Sequence, residues 1–122
     1  MIFEVRLPLI MPQMSAATVE CLYVEPGEAV KMGSKLADLR VDLSSAFAQE
    51  CPPVSYYRIV LRERAFVRSI SATPGDLLEV DAPFVLFSTD PDEPLDPPAT
   101  RPMRTTIAGI MHHDGMVSDQ KL

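Results

Sequence analysis

Residues 22–42 read LYVEPGEAVKMGSKLADLRVD, and residues 70–90 read ISATPGDLLEVDAPFVLFSTD. Each segment has short apolar stretches, a Pro-Gly pair followed by an acidic residue, and a second break before another apolar stretch. This pattern is typical of strands joined by tight turns, because Pro presets φ and Gly supplies a positive φ. The sequence therefore predicts two similar halves packed about a pseudo-twofold axis, since neither half can bury its apolar face alone. Aligned without gaps, the segments match at Pro26/Pro74, Gly27/Gly75, Glu28/Asp76, Val30/Leu78, Leu36/Phe84 and Asp42/Asp90.

The composition of the chain limits the classes of protein to which it can belong. Its 122 residues suffice for one domain and a tail, and a hydrophobic content of 47% is typical of a globular protein. A net charge of −6 argues against nucleic acid as a partner, because binding phosphates requires local lysine and arginine. The sequence begins without the basic and apolar regions of a signal peptide, and no apolar stretch is long enough to span a membrane. We therefore expect a cytoplasmic location and no membrane partner.

The sequence predicts three regions. Residues 1–90 alternate apolar and polar side chains in short stretches, which indicates an all-β domain. Residues 91–102 are rich in proline and acidic residues, and they predict a stiff, extended linker or a strap along the surface. In residues 103–122 an apolar stripe at helical spacing predicts a short helix, capped by Thr100 and with Pro102 in its first turn. Through this stripe the tail would dock on the domain or on a second copy of the chain, giving a homo-oligomer. The stripe consists of Met103, Ile107, Ile110 and Met111.

Residues 9–42 extend the first repeat towards the N-terminus and carry a recognisable order of motifs. They contain a Met-Pro pair, a Thr-Val strand, Pro-Gly-Glu, and Val-Lys-x-Gly before a leucine. This order is similar to that of the biotinyl/lipoyl attachment domain family, which usually has Glu-Gly-Asp where this chain has Pro-Gly-Glu. The resemblance covers roughly residues 4–90. It implies a flattened barrel of two small antiparallel sheets with pseudo-twofold symmetry, known as the barrel-sandwich hybrid.

The attachment site of that family is degenerate in this chain. In the family the hairpin tip after the first repeat reads Asp-Lys-Ala, and its lysine carries lipoate through an amide. Here the tip reads Asp42, Leu43 and Ser44, and the biotinyl tip Met-Lys-Met matches no better. Because leucine has no amine, the resemblance implies that neither lipoate nor biotin is attached at this tip. The remaining lysines are interpreted as solvated surface charges: Lys31, Lys35 and Lys121.

An additional segment after Pro53 carries a row of arginines. Read as one strand, residues 54–68 place apolar side chains at odd positions and arginines at even ones. The alternation predicts either an ordinary solvated face, whose long stems cover the sheet, or a docking surface for an acidic protein partner such as the chain's own linker. The candidate partner-binding residues are Arg58, Arg62, Arg64 and Arg68.

The tail and the cysteines offer little chemistry. His112, His113 and Asp114 are sequential, and nothing near them in the sequence completes a catalytic or metal site. Cys21 and Cys51 have no CxxC spacing, so we interpret them as unpaired thiols and keep a metal or redox pair as the alternative. We therefore assign no catalytic residue and no metal ligand, and we expect no enzyme activity.

A second resemblance concerns the tail. The segment MRTTIAGIM is similar to the opening of the acyltransferase core of dihydrolipoamide acyltransferases, where Arg-x-x-Ile-Ala-x-x-Met follows a lipoyl domain and a Pro-rich linker. The His-x-x-x-Asp-Gly motif of that core is absent from this chain. The residues that fit are Arg104, Ile107, Ala108 and Met111.

These observations favour a degenerate lipoyl-like domain that serves as a non-catalytic protein-binding or assembly module. The alternative is a lipoyl or biotinyl carrier domain of a 2-oxoacid dehydrogenase acyltransferase or carboxylase system, modified at another lysine. A periplasmic efflux adaptor would have a signal sequence and a long coiled-coil insertion, and the sequence has neither.

Overall fold

The computed structural model describes residues 1–42 and 54–110, which form a β-sandwich of two five-stranded sheets. No helix occurs in these residues, and every strand pairing is antiparallel except that of β1 with β9. The predicted all-β class is therefore confirmed. The strands are β1 (Ile2–Arg6), β2 (Ala16–Leu22), β3 (Ala29–Val30), β4 (Lys35–Asp42), β5 (Val54–Leu61), β6 (Ala65–Ile70), β7 (Leu77–Glu79), β8 (Pro83–Ser88), β9 (Arg101–Pro102) and β10 (Thr105–Ile110). Sheet A has the order β3-β6-β8-β1-β9, and sheet B has the order β10-β5-β4-β2-β7.

The apolar core lies between the two sheets, because alternate residues of each central strand point inward. In sheet B, Val19 of β2 pairs with Leu39 of β4, and in sheet A, Val67 of β6 pairs with Phe87 of β8. All of these side chains are fully buried. Both repeats thus contribute to one core. Its largest fully buried side chains are Phe3, Phe84, Phe87, Leu7, Leu36, Leu39, Ile59, Leu61, Val19, Val41, Val67 and Val85.

The first turns of the two repeats make the same backbone hydrogen bonds. The N–H of Gly27 donates to the carbonyl of Val67 at 2.7 Å, and the N–H of Gly75 donates to the carbonyl of Val19 at 2.7 Å. Both glycines have a positive φ, 92° and 99°, which an L-residue rarely adopts. After each turn the short strand pairs with the other repeat's sheet, β3 with β6 and β7 with β2. This exchange of short strands ties the two sheets together.

The acidic residue after each Pro-Gly pair closes its turn. A carboxylate oxygen of Glu28 accepts a hydrogen bond from the N–H of Glu25 at 3.0 Å, and one of Asp76 accepts from the N–H of Thr73 at 2.9 Å. Acids and amides commonly stabilise turns by accepting from nearby backbone N–H groups. The Pro-Gly-acid pattern that the two repeats share therefore has a structural explanation.

The second turns of the repeats are also equivalent, although their sequences differ. The N–H of Gly33 donates to the carbonyl of Leu61 at 2.7 Å, and the N–H of Asp81 donates to the carbonyl of Leu7 at 2.9 Å. Gly33 has a φ of 92°, and Asp81 has a φ of 75°. Strands β5 and β1 thus stand in corresponding positions beside the repeats, a relation that the aligned segments did not include.

The prediction of a helix in the tail is wrong for residues 103–110, the part of the tail that the structure describes. Thr105–Ile110 forms strand β10, which pairs antiparallel with β5, and Arg101–Pro102 forms β9 beside β1. The β-branched residues of this segment favour extended backbone, and Gly109 disfavours a helix. A short helix would also lack the hydrogen bonds that β5 supplies to a paired strand. Thr100 does not cap a helix but donates its N–H to the carbonyl of Ile2 at 2.7 Å.

The predicted apolar stripe is divided by this change from helix to strand. Met103 is buried, and Ile107 packs against the core from the inner face of β10. Ile110 pairs with Tyr56 in the β10–β5 ladder, where it is half-buried. Met111 lies outside the described residues.

The proline-rich segment contacts sheet A near its beginning and at its end. The amino group of Met1 forms an ion pair with Glu93, and Thr100 bonds to Ile2. Ser88 on β8 is fully buried, and its hydroxyl donates to the carbonyl of Asp90 at 2.6 Å. The segment therefore runs against the sheet at these points.

Candidate partner-binding surface

The hairpin with the degenerate tip is formed by β4 and β5. These strands pair from Lys35 with Val60 at one end to Asp42 with Val54 at the other. Asp42 is exposed at the end of β4. Leu43 and Ser44 lie outside the described residues. The sequence between the paired ends, residues 43–53, contains no lysine.

Two of the lysines lie at the opposite end of this hairpin. Lys31 is exposed in the turn between β3 and β4, and Lys35 begins β4. Seven steps of roughly 3.4 Å separate Lys35 from Asp42, which gives about 24 Å along the strand. The Nζ atom of Lys35 lies 5.4 Å from the centre of the Tyr23 ring, a cation–π contact. Lys121 lies outside the described residues.

The prediction that residues 54–68 form one strand that carries all four arginines is wrong. Residues 54–61 and 65–70 are separate strands in different sheets, joined by a turn at residues 62–64. The alternation of buried and exposed residues continues through this turn, because Leu61 and Ala65 are both buried. Periodicity alone therefore could not reveal the break. The consequence is that the four arginines do not share one face.

Arg58 on β5 is bound within an ionic network on the outer face of sheet B. Its guanidinium contacts both carboxylate oxygens of Asp38, with Nε at 2.8 Å from Oδ1. The hydroxyl of Tyr23 donates to the same carboxylate at 2.5 Å. Partial burial and this hydrogen bond raise the pKa of Tyr23 to about 12, and the hydrogen bonds to Asp38 raise the pKa of Arg58. The Tyr23 hydroxyl therefore stays protonated and the Arg58 guanidinium stays charged near neutral pH.

Arg68 on β6 is bound by the segment that follows β8. It donates to the hydroxyl of Ser88 at 3.0 Å and to the carbonyl of Glu93 at 2.6 Å. Arg68 therefore contacts the acidic segment through a backbone carbonyl and not through a carboxylate. The geometry indicates a structural role for Arg68.

Arg62 and Arg64 are exposed in the turn between β5 and β6. The residue between them, Glu63, accepts two hydrogen bonds from Arg101, at 2.7 and 2.9 Å, and a third from the N–H of Arg104 at 2.7 Å. These contacts lower the pKa of Glu63 to about 2, and the hydrogen bonds from Arg101 contribute most to the shift. The Glu63 carboxylate thus binds residues 101–104 to the turn between β5 and β6.

Three chain segments that carry basic residues lie side by side at this turn. The N–H of Gly33 and the carbonyl of Ser34 both bond to Leu61, so the β3–β4 turn lies beside the end of β5. The N–H of Arg62 donates to the carbonyl of Arg104 at 3.0 Å, which brings the third segment alongside. We call this surface the basic end, and it consists of Lys31, Lys35, Arg62, Arg64 and Arg104.

The basic end differs from the predicted set in a way that the sequence could not show. Arg58 and Arg68 leave the set because carboxylate or carbonyl oxygens bind them. Lys31, Lys35 and Arg104 join it because backbone pairing brings together segments that are remote in the chain. The only sequence signal was the cluster of charges on either side of the Met-Gly turn. Because the net charge of the chain is −6, such a cluster is a positively charged region on a negatively charged protein.

Of the remaining candidate residues, only Cys21 lies in the described part of the chain. Cys21 is a half-buried free thiol, whereas Cys51, His112, His113 and Asp114 lie outside the described residues. Within residues 1–42 and 54–110, no group of three or more His, Cys, Asp or Glu side chains could hold a metal ion. None of these residues forms a helix that could cross a membrane.

Comparison of the chain with protein-family models gave no match, and neither curated proteins nor solved structures gave one. The function must therefore be inferred from the residues of this chain and their arrangement.

Proposed function

We propose that this chain is a lipoyl-like domain without an attachment lysine, and that it serves as a non-catalytic protein-binding module. The observation that carries the proposal is the β4–β5 hairpin. In the family that the sequence resembles, the attachment lysine stands at the tip of this hairpin. Here residues 43–53, which join the paired strands, contain no lysine, so this tip offers no lysine amine for an amide with lipoate or biotin.

The fold supports the family resemblance through its repeats. Each repeat contributes a long strand pair to one sheet and a short strand to the other, and the turns make matching hydrogen bonds. A barrel-sandwich hybrid with pseudo-twofold symmetry requires this kind of exchange. The resemblance and the strand pairing both favour this architecture.

The position of the other lysines argues against a carrier modified elsewhere. Lys35 lies about 24 Å along the strand from the tip end of the hairpin. Its ammonium also lies over the ring of Tyr23. A swinging arm attached at Lys31 or Lys35 would emerge from the wrong end of the hairpin.

The basic end supports binding of an acidic protein segment. Arg62, Arg64 and Arg104 are exposed, and arginine pairs with carboxylates through two parallel hydrogen bonds. The carboxylate of Glu63, the residue between Arg62 and Arg64, already accepts hydrogen bonds from Arg101 and from the N–H of Arg104. The exposure of these arginines therefore supports the proposal that the basic end binds carboxylates of another chain.

The absence of a carrier function is tested by intact-mass measurement after co-expression with a lipoate ligase. We expect the wild-type chain to gain no lipoyl or octanoyl group. We expect Leu43→Lys, which restores an amine at the family's position, to be modified at least in part. An adduct on Lys31 or Lys35 of the wild type would overturn the proposal in favour of the carrier function. A Leu43→Lys variant that stays wholly unmodified would count against the lipoyl-like hairpin.

The binding surface is tested with a fluorescent glutamate-rich peptide and fluorescence anisotropy at low salt. We expect Arg62→Gln with Arg64→Gln to raise the Kd at least fivefold, because both side chains are exposed and available. The matched control, Arg6→Gln with Arg40→Gln, changes the net charge equally but removes arginines that contact Glu4 and Glu20. We expect it to change the Kd less than twofold. Equal weakening in both variants, or no binding by the wild type, would count against this surface.

A further inference from the structure

The outer edges of the two sheets are unequal. The edges of sheet A are β3 and β9, each two residues long, and β9 ends in Pro102. One edge of sheet B is β7, which has three residues, ends in Glu79 and follows Asp76. Short length, proline and charge are the usual features that prevent an edge from pairing with another chain. These three edges are therefore protected.

The fourth edge, β10, has none of these protections. Thr105–Ile110 is six residues long and contains neither a charged residue nor a proline. Its exposed residues include Thr106, Ala108 and Gly109. Among the residues that the structure describes, β5 is the only strand paired with it. An uncharged edge of this length is a template for an added strand.

The ladder defines which backbone groups of β10 face outward. Thr105 pairs with Leu61, and the N–H of Arg62 donates to the carbonyl of Arg104. In an antiparallel pair, residues alternate between those that bond to the partner strand and those that bond away from it. The even residues of β10 therefore bond to β5. The N–H and C=O groups at the outer edge belong to Thr105, Ile107 and Gly109.

We propose that β10 pairs with β10 of a second copy of this chain, antiparallel and about a twofold axis at Ile107. In this register Thr105 of each copy bonds to Gly109 of the other, and Ile107 bonds to its equivalent. All of the outward N–H and C=O groups of those residues are then satisfied, so the edge is self-complementary. The core-facing sides of the two joined sheets then lie on the same side of the combined sheet. The half-buried Ile107 side chains of the two copies meet on that side. This contact is independent of the basic end and of the proposed function.

A second copy fits this edge better than a charged strand would. Within β10 no side chain could repel its equivalent, because every residue is uncharged. Two five-stranded sheets joined in this way become one continuous sheet that buries both unprotected edges. The tail thus provides a contact between copies through strand pairing, whereas the sequence had predicted one through a helix.

Sedimentation equilibrium of the full chain, with reductant and over a hundredfold range of concentration, tests the proposal. We expect a reversible dimer. Gly109→Pro removes an N–H from the outer edge but no hydrogen bond to β5, and we expect the dimer Kd to rise at least tenfold. Gly109→Ala is the matched control, because a Cβ at this position meets nothing within 4 Å and the N–H is kept. We expect it to change the Kd less than twofold.

A second pair of variants tests the edge without altering the backbone. Ala108→Lys places a charge on β10, and Leu77→Lys places the same charge on the opposite edge of sheet B, at a side chain that is 69% exposed. We expect only the former to weaken the dimer, and circular dichroism confirms that each variant is folded. A monomeric wild type, including one whose own residues 111–122 cover the edge, would overturn the proposal. So would a dimer that neither Gly109→Pro nor Ala108→Lys weakens.

Discussion

The two repeats share their backbone hydrogen bonds but carry opposite charges at their second turns. Lys31 and Lys35 flank the turn of the first repeat, whereas the turn of the second contains Glu79 and Asp81. The N–H and C=O groups at the two turns bond in the same way, so the charges are not needed for the fold. The repeated pattern therefore specifies the architecture, while the side chains that differ between the repeats determine the charge of each surface.

The ion pairs beside these turns differ in burial. At the basic end, Glu63 and Arg101 form a pair whose side chains are 15% and 34% exposed. Beside the second turn of the other repeat, Asp81 lies 3.5 Å from Arg6, and these side chains are 78% and 45% exposed. Exposed pairs are screened by water and contribute little, whereas a half-buried bidentate pair contributes more. The two ends should therefore respond differently to loss of a carboxylate.

The largest effect is expected for Glu63→Gln. This substitution removes the charge that holds Arg101 and leaves that guanidinium, which lies 4.2 Å from the centre of the Phe3 ring, without its carboxylate. We expect the free energy of unfolding to fall by about 2 kcal/mol. Chemical denaturation at neutral pH measures the loss. The matched control at the other end is Asp81→Asn, for which we expect a change within about 0.5 kcal/mol.

The pH dependence of stability gives a second measure of the same difference. The pKa of Glu63 in the folded chain is about 2, below its ordinary value of 4.5. A depressed pKa means that the stabilisation is fully present above about pH 5 and is lost as the pH falls through 4.5 towards 2. We therefore expect the difference between wild type and Glu63→Gln to shrink over this range. A difference that stays constant from pH 6 to pH 3 would contradict the assigned role of the Glu63 carboxylate.

The repeats were predictable because local sequence determines them. Pro-Gly followed by an acid specifies a turn by itself, and a period of two in the apolar residues specifies which face is buried. The all-β class and the turns at Gly27 and Gly75 therefore follow from short stretches of sequence. The glycine torsion angles agree with this interpretation.

The tail and the basic end were not predictable in the same way. Ile107 fits a helical stripe and a strand equally well over so short a segment, and pairing with β5 decides between them. Arg62 and Arg104 are neighbours only because their backbones bond across the sheet. Pairing between distant segments is a tertiary property, and a single sequence contains no local signal for it.

The smallest effect concerns the backbone at the second turns. Gly33 and Asp81 both have a positive φ, which costs an L-residue with a Cβ about 1–2 kcal/mol, although Asp tolerates it better than most. A Cβ at Gly33 would meet nothing within 4 Å, so Gly33→Asp adds no steric clash to this backbone cost. The reduced freedom of the unfolded chain and the charges of Lys31 and Lys35 offset part of the cost. We expect Gly33→Asp to lower the free energy of unfolding by about 1 kcal/mol. The reciprocal variant, Asp81→Gly, relieves the strained backbone of the folded chain. It also loses the exposed ion pair and gives the unfolded chain more freedom. Because these effects oppose one another, we expect the free energy of unfolding to change by no more than about 0.5 kcal/mol. Parallel urea titrations of the two variants measure both values. If Gly33→Asp were neutral while Asp81→Gly was strongly destabilising, the two turns would not be equivalent, and the correspondence between the repeats would end at their first turns.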